Sequence, residues 1–194
     1  MTTHTIEPSR TALLVMDYQP VVLGTLLNAA DLLKRTGEAI ATVRRLGGWV
    51  GYVRVAFEEA DYAAVPASNL SFSAVAEARG MPAASPETAI HPAVAPEPSD
   101  VVVRKTRVGP FRTTDLDVQL RGRGVDTLLL AGLHTSGVVL STVREAADHD
   151  YRIFVLSDCT ADPDAEVHDI LLRKVFARQA PSLALDELPG LLGG

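Results

Sequence analysis

Short apolar runs alternate with amphipathic stretches along this chain, and the alternation predicts its elements. Thr11-Ala-Leu-Leu-Val-Met16 has the unbroken character of a strand buried on both faces. Ala29 to Leu46 follows, with Leu33, Ile40, Val43 and Leu46 near helical spacing and Gly47-Gly48 closing the helix. Trp49 to Phe57 predicts a second strand. Glu58 to Pro98 then carries many of the prolines and little periodicity, with one short helix at Ser73 to Ala78. The remainder of that stretch reads as a surface excursion, the kind of loop that shapes binding pockets.

Regular alternation returns with a strand at Asp100 to Arg104 and a short helix at Thr114 to Gly122. A strand at Val125 to Ala131 leads into a helix at Ser136 to Asp150, whose Val139, Val143, Ala146 and Ala147 form an inner face. Tyr151 to Ser157 is the next strand. Asp162-Pro163 then has the form of an N-cap followed by a first-turn proline, opening a helix that keeps Val167, Leu171 and Val175 inward. Ser182 to Leu185 predicts a last strand. Strand and helix in alternation imply a mainly parallel, doubly wound sheet with helices on both faces. The expected fold class is α/β, a three-layer α/β/α sandwich, in a single domain over residues 1–194.

Charge and cysteine content narrow the function. The formal net charge is −6, and its basic residues are interspersed with acidic ones, which excludes the concentrated basic patch of a nucleic-acid or anionic-membrane surface. A small-molecule substrate stays open. Cys159 is the one cysteine, so no intramolecular disulfide forms and a reducing compartment is expected. Met1 to Arg10 is polar and the first apolar run is too short for a signal peptide or a membrane span. The expected location is therefore cytoplasmic.

Open parallel sheets bind ligands beyond the carboxyl ends of their strands. Three features fall there: Asp17 after the first strand, Lys105 after Val101-Val-Val103, and the turn Ala131-Gly-Leu-His-Thr-Ser-Gly-Val138. Singly, each has an ordinary structural explanation as a loop cap, a solvated lysine or a strand-to-helix turn. Together, a carboxylate and an ammonium converging on a helix start make a polar site with oriented N–H groups.

These residues also carry a resemblance. Leu14-Val-Met-Asp17-Tyr-Gln19 resembles the first-strand motif of the isochorismatase-like (cysteine hydrolase) superfamily, and the stretch from His91 through Lys105 and Arg107 to Phe111 resembles its lysine-bearing segment. Thr114-Asp-Leu116, Val125 to Gly132 and Thr135 to Ala147 continue the likeness, which covers roughly residues 11–180. The resemblance implies that Asp17 is the acid/base group and Lys105 its partner. Counting along the family's turn from Gly132 places the nucleophile position at Val138, which cannot attack a substrate. It also implies a cis peptide at Leu133–His134, with the His134 and Val138 N–H groups forming an oxyanion hole. Gln19, Phe57, Arg107, Phe111 and Ser136 are the positions expected to meet substrate. Cys159, in Ser157-Asp-Cys-Thr160, reads as inert packing.

No cofactor is expected. Phe57-Glu-Glu-Ala-Asp-Tyr62, matching the stretch where nicotinamidase-type members add metal ligands, contains no histidine, and no metal is expected either. The resulting expectation is a hydrolase that works without a thiol, Asp17 serving as general acid/base on a vinyl-ether or related C–O bond. Alternatives are an amide hydrolase using water or Ser136, and an inactive small-molecule-binding homologue. Relatives in this superfamily imply a homodimer or homotetramer, with the apolar Pro181 to Leu192 stretch available to dock a neighbour.

Overall fold

A computed structural model describes residues 5–193. Its six-stranded sheet comprises β1 (Thr11–Met16), β2 (Trp49–Val55), β3 (Val101–Lys105), β4 (Thr127–Leu133), β5 (Arg152–Ala161) and β6 (Ser182–Leu183). Every pairing is parallel, in the order β3-β2-β1-β4-β5-β6. The helices are α1 (Pro20–Leu23), α2 (Ala29–Arg45), α3 (Glu59–Ala63), α4 (Ser73–Glu77), α5 (Leu116–Gly122), α6 (Leu140–Asp148), α7 (Ala165–Ile170) and α8 (Leu188–Leu191).

All six residues of β1 are buried, because β1 lies between β2 and β4 and both sheet faces are covered. Its side chains alternate between two cores. Leu13 and Val15 pack with Leu32, Ile40 and Val43 of α2, whereas Leu14 and Met16 pack with Leu116 and Leu120 of α5 and Val143 of α6. The result is the three-layer sandwich expected from the strand–helix alternation. The buried face of α2 holds Ile40 and Val43 as expected, with Leu32, Thr36 and Ala39 beside them, while Leu33 and Leu46 pack at its edge partly buried. Gly47, at φ 85°, turns the chain out of α2 in the left-handed region that glycine enters at no steric cost.

Three boundaries depart from expectation in ways that matter for the site. Strand β5 runs to Ala161 rather than stopping at Ser157: Leu130 pairs with Val155 but Gly132 pairs with Thr160, so β5 bulges and then resumes beside β4. Helix α7 is capped by Asp164, whose carboxylate accepts from the Glu166 and Val167 N–H groups, and not by Asp162. Helix α6 is preceded by a wider turn, Thr135–Val139, of π-helical form. The excursion after β2 holds a second short helix, α3, which its sequence did not foretell. It is tied back by Phe57, whose N–H donates to Met81 and whose carbonyl accepts from Ala83. The Pro181 to Leu192 stretch is spent on this chain's own core: Leu183, Leu188, Leu191 and Leu192 are buried in the α2-side cluster. Among the described residues, no helix is long and apolar enough to cross a membrane.

Candidate active site

The chain winds outward from β1 through β2 to β3, then returns to the other side of β1 to form β4. The connections diverge at β1 and β4, and this opens a crevice beyond their carboxyl ends. Asp17 follows β1 directly, its N–H donating to the Val53 carbonyl at 2.8 Å. Its φ of 60° lies in the left-handed region, which aspartate tolerates better than most residues. The turn leads at once to Gln19, whose N–H bonds back to the Asp17 carbonyl.

Lys105, at the end of β3, reaches over β2 to place Nζ 2.8 Å from Asp17 Oδ2. It also donates to the Arg107 carbonyl at 3.2 Å. Both partners are buried, Asp17 at 5% exposure and Lys105 at 2%. Asp17 Oδ1 is buried without any hydrogen-bond partner. Burial raises the Asp17 pKa above the ordinary carboxyl value and outweighs the Lys105 ammonium and the nearby His134, which act in the opposite sense. Burial thus shifts this carboxyl towards its protonated form, and one of its oxygens has no partner.

The turn after β4 supplies the opposite wall. The Leu133–His134 peptide is cis, and His134 Nε2 lies 2.8 Å from Thr25 Oγ1. Gly132 is confined between Val139 and Met16: a Cβ there would meet Val139 Cγ2 at 2.9 Å and Met16 Cε at 3.1 Å. This close approach brings the helix opening against the end of β1. Val138, 2% exposed, belongs to the buried cluster that contains Met16.

Cys159 lies elsewhere, fully buried on β5 in the core on the α2 side of the sheet. Its carbonyl accepts from Tyr18 Oη at 2.8 Å, and burial pushes its thiol up to about 12.

Four positions expected to meet substrate are engaged otherwise. Gln19 is fully buried, its amide donating to the Val55 and Thr88 carbonyls and accepting from the Val55 N–H, so it completes the end of β2. Phe57, 1% exposed, stacks on Tyr62 at 5.5 Å and packs against Phe72. Phe111 stacks on His149 at 5.2 Å and packs against Tyr151, beyond the far end of α6. Arg107 donates to the Thr106 and Ala64 carbonyls. These side chains brace the loops; motif position alone did not distinguish bracing from contact. Ser136 remains exposed at the helix opening.

Three residues that the sequence did not single out for the site hold this opening: Thr25 on His134, His168 on Thr135, and Asp162 on Ser136. His168 Nδ1 lies 2.8 Å from Thr135 Oγ1. Asp162 Oδ2 accepts from both the Ser136 N–H at 2.8 Å and the Ser136 hydroxyl at 2.6 Å. All three line a cavity of about 440 Å³, together with Asn28, Arg35 and Asp158. Asp17 and Lys105 form no part of its wall. Among the described residues, no three His, Cys, Asp or Glu side chains gather as a metal-holding group.

Residues 11–187 match the isochorismatase domain. The chain belongs to the isochorismatase family. It is 30% identical over 187 residues to YwoC of Bacillus subtilis, an uncharacterized isochorismatase family protein, covering 96% of each chain. It is also 30% identical over 193 residues to a probable isochorismatase of Pseudomonas chlororaphis, covering 94% of this chain and 86% of that one. A shorter stretch of 85 residues, 44% of this chain and 40% of the relative, is 35% identical to maleamate amidohydrolase of Pseudomonas putida. Among solved structures, an isochorismatase family protein from Burkholderia thailandensis superposes with a TM-score of 0.82 at 28% identity, covering 98% of each chain. Members of this family are hydrolases, amidohydrolases among them, and this chain is an isochorismatase-family hydrolase.

Proposed function

We propose that this hydrolase cleaves a vinyl-ether or related C–O bond of a small molecule without a thiol intermediate, with Asp17 as the general acid. The observation that carries this reading is the buried Asp17–Lys105 pair beside a helix opening whose inner residue is Val138, while Cys159 lies buried in the core on the other face of the sheet. Asp17 is biased towards its protonated form, as a proton donor to carbon requires. The P. chlororaphis relative, a probable isochorismatase matched along most of its length, supports the same direction.

In the reaction, Asp17 gives its proton to the terminal carbon of the C=C bond, and the π electrons form the new C–H bond. The ether oxygen shares the positive charge as an oxocarbenium ion. Water adds to that centre and returns a proton to the Asp17 carboxylate. The resulting hemiketal collapses to a ketone and an alcohol, the hemiketal hydroxyl proton passing to the departing oxygen. Lys105 holds Asp17 Oδ2, leaving Oδ1 as the oxygen that faces the substrate.

A second reading, amide hydrolysis, draws on the amidohydrolase relative and on the Ser136–Asp162 contact, which gives that hydroxyl an adjacent base. Turnover of isochorismate beside a panel of carboxamides separates the two. Vinyl-ether cleavage that survives iodoacetamide and is lost in Asp17→Asn is the expected result. Carboxamide cleavage that requires Ser136, with no vinyl-ether turnover, would replace this reading with the second.

A further inference from the structure

Three cations gather around one concavity that Asp17 and Lys105 do not line. Arg144 is exposed on α6, and Lys174 and Arg178 are exposed in the turns that follow α7. With Val175 and Gln179 they line a cavity of about 430 Å³. The chain after α7 makes a wide turn at Leu171–Val175 and a tight one at Phe176–Arg178. Leu171, Phe176 and Ala180 anchor those turns in the core that also holds Val143 and Ala146 of α6. The cations therefore stand on a fixed base. Arg144 Nη1 donates to the Gln179 side-chain oxygen, which ties α6 to the turns and leaves the Gln179 amide N–H groups as further donors. Helix polarity accounts for part of this arrangement. Lys174 and Arg178 lie in last turns, where carbonyl ends favour cations. Arg144 lies in the middle of α6 and has no such cause. Among the described residues none of the three is ion-paired to a carboxylate, although neighbouring Arg173 pairs with Asp169 at 3.3 Å. Like charges set together repel one another, and a compact anion between them relieves that repulsion.

We propose that this concavity is a ligand site separate from the Asp17–Lys105 pair, and that it takes a small molecule bearing a diphosphate group. The guanidinium forks of Arg144 and Arg178 match phosphate oxygens, Lys174 adds a point charge, and Gln179 adds neutral donors. Anionic oxygens spread over two linked phosphorus atoms reach all three cations at once, and a single carboxylate does not. The cavity is of a size that holds such a group together with part of its organic body. Arg144 comes from one helix and Lys174 and Arg178 from another segment, so the bound group links the two and stabilises the fold by mass action. None of this depends on which bond is cleaved at Asp17.

Inorganic pyrophosphate is the probe, titrated into the whole protein by isothermal calorimetry at low ionic strength in metal-free buffer. Saturable binding to one site, tighter than that of inorganic phosphate or citrate and weakened by added salt, is the expected result. Arg144→Gln, Lys174→Gln and Arg178→Gln should each weaken it about two- to fivefold, as loss of one exposed charge contact does, and the triple variant about tenfold or more. The melting temperature of the wild type should rise with pyrophosphate, and that of the triple variant should not. Arg45→Gln and Arg112→Gln remove exposed cations outside the cavity and serve as controls. Absence of saturable binding overturns the proposal. An equal loss in the controls also does, because it reduces the effect to diffuse attraction. Citrate binding as tightly as pyrophosphate removes the phosphate class. Self-association of the wild type that the triple variant loses, without pyrophosphate binding, assigns the cluster to a second copy of the chain instead.

Discussion

Asp17 and Lys105 are a buried ion pair whose members respond unequally to loss of the other. Asp17→Ala leaves an ammonium that is 2% exposed with only the Arg107 carbonyl to receive it. Breaking a buried pair in this way costs about 3–5 kcal/mol. Lys105→Met leaves a carboxyl whose pKa burial already raises and which loses the ammonium that lowered it, so it can escape the buried charge by taking up a proton. Urea unfolding at neutral pH is expected to show a larger loss for Asp17→Ala than for Lys105→Met. Equal losses would argue that Asp17 cannot neutralise itself by protonation once Lys105 is gone. The same substitution has a kinetic sign. The Lys105 ammonium lowers the Asp17 pKa, so its removal lets that pKa rise and moves the loss of the acid form to higher pH. A pH–rate profile of kcat/KM should show its basic limb displaced upward in Lys105→Met, at lower overall rate. Cys159 is expected to behave as core. Iodoacetamide leaves it unlabelled in the folded protein at pH 8, and Cys159→Ala retains turnover, because a buried thiol raised to about 12 is not ionised there.

At the scale of elements, the decisive contact is between the end of β1 and the turn that opens α6. Gly132 permits it, since any side chain at that position meets Val139 and Met16 below ordinary contact distance. Gly132→Ala is expected to destabilise the fold by about 1–3 kcal/mol through overpacking. It should also lower kcat, by pushing the turn away from Asp17. A variant of full activity and unchanged melting temperature would show that the turn tolerates displacement. Loop contacts hold the same turn from outside, through Thr25, His168 and Asp162. The bulge in β5 serves the last of these, because pairing resumes at Thr160 and Ala161 and Asp162, the next residue, reaches Ser136.

For the whole molecule, the sheet order puts the chemistry at one end, and the carboxylates elsewhere set the response to acid. Asp61 and Asp126 are partly buried, which acts to raise their pKa values, but Arg104 and Arg10 respectively, with nearby hydrogen-bond donors, bring both below the ordinary value. A lowered carboxyl contributes stability above its unfolded value, and that contribution is lost as pH falls through its folded value. Asp17 carries the opposite sign: its contribution is full below the unfolded value and is lost as pH rises through the folded one. Stability from urea titrations is therefore expected to decline as pH drops below about 4, the ordinary carboxyl value. Asp126→Asn should flatten that decline, and an unchanged slope would remove Asp126 from the account.

The central strands and the three-layer class were legible in the sequence, because they depend on local periodicity; Asp17 and Lys105 were placed at strand ends by the same reading, whereas the Val138 position came only from the family resemblance. Thr11 to Met16 is apolar enough to declare itself a central strand without knowledge of its neighbours. Side-chain partnership was not legible. Whether Gln19 meets substrate or completes β2, and whether Asp162 caps α7 or holds Ser136, depends on groups 36 and 26 residues away. Only the tertiary structure decides those, because hydrogen bonds and fields act over a few ångströms of space, and the chain brings distant residues that close only once the sheet has been assembled.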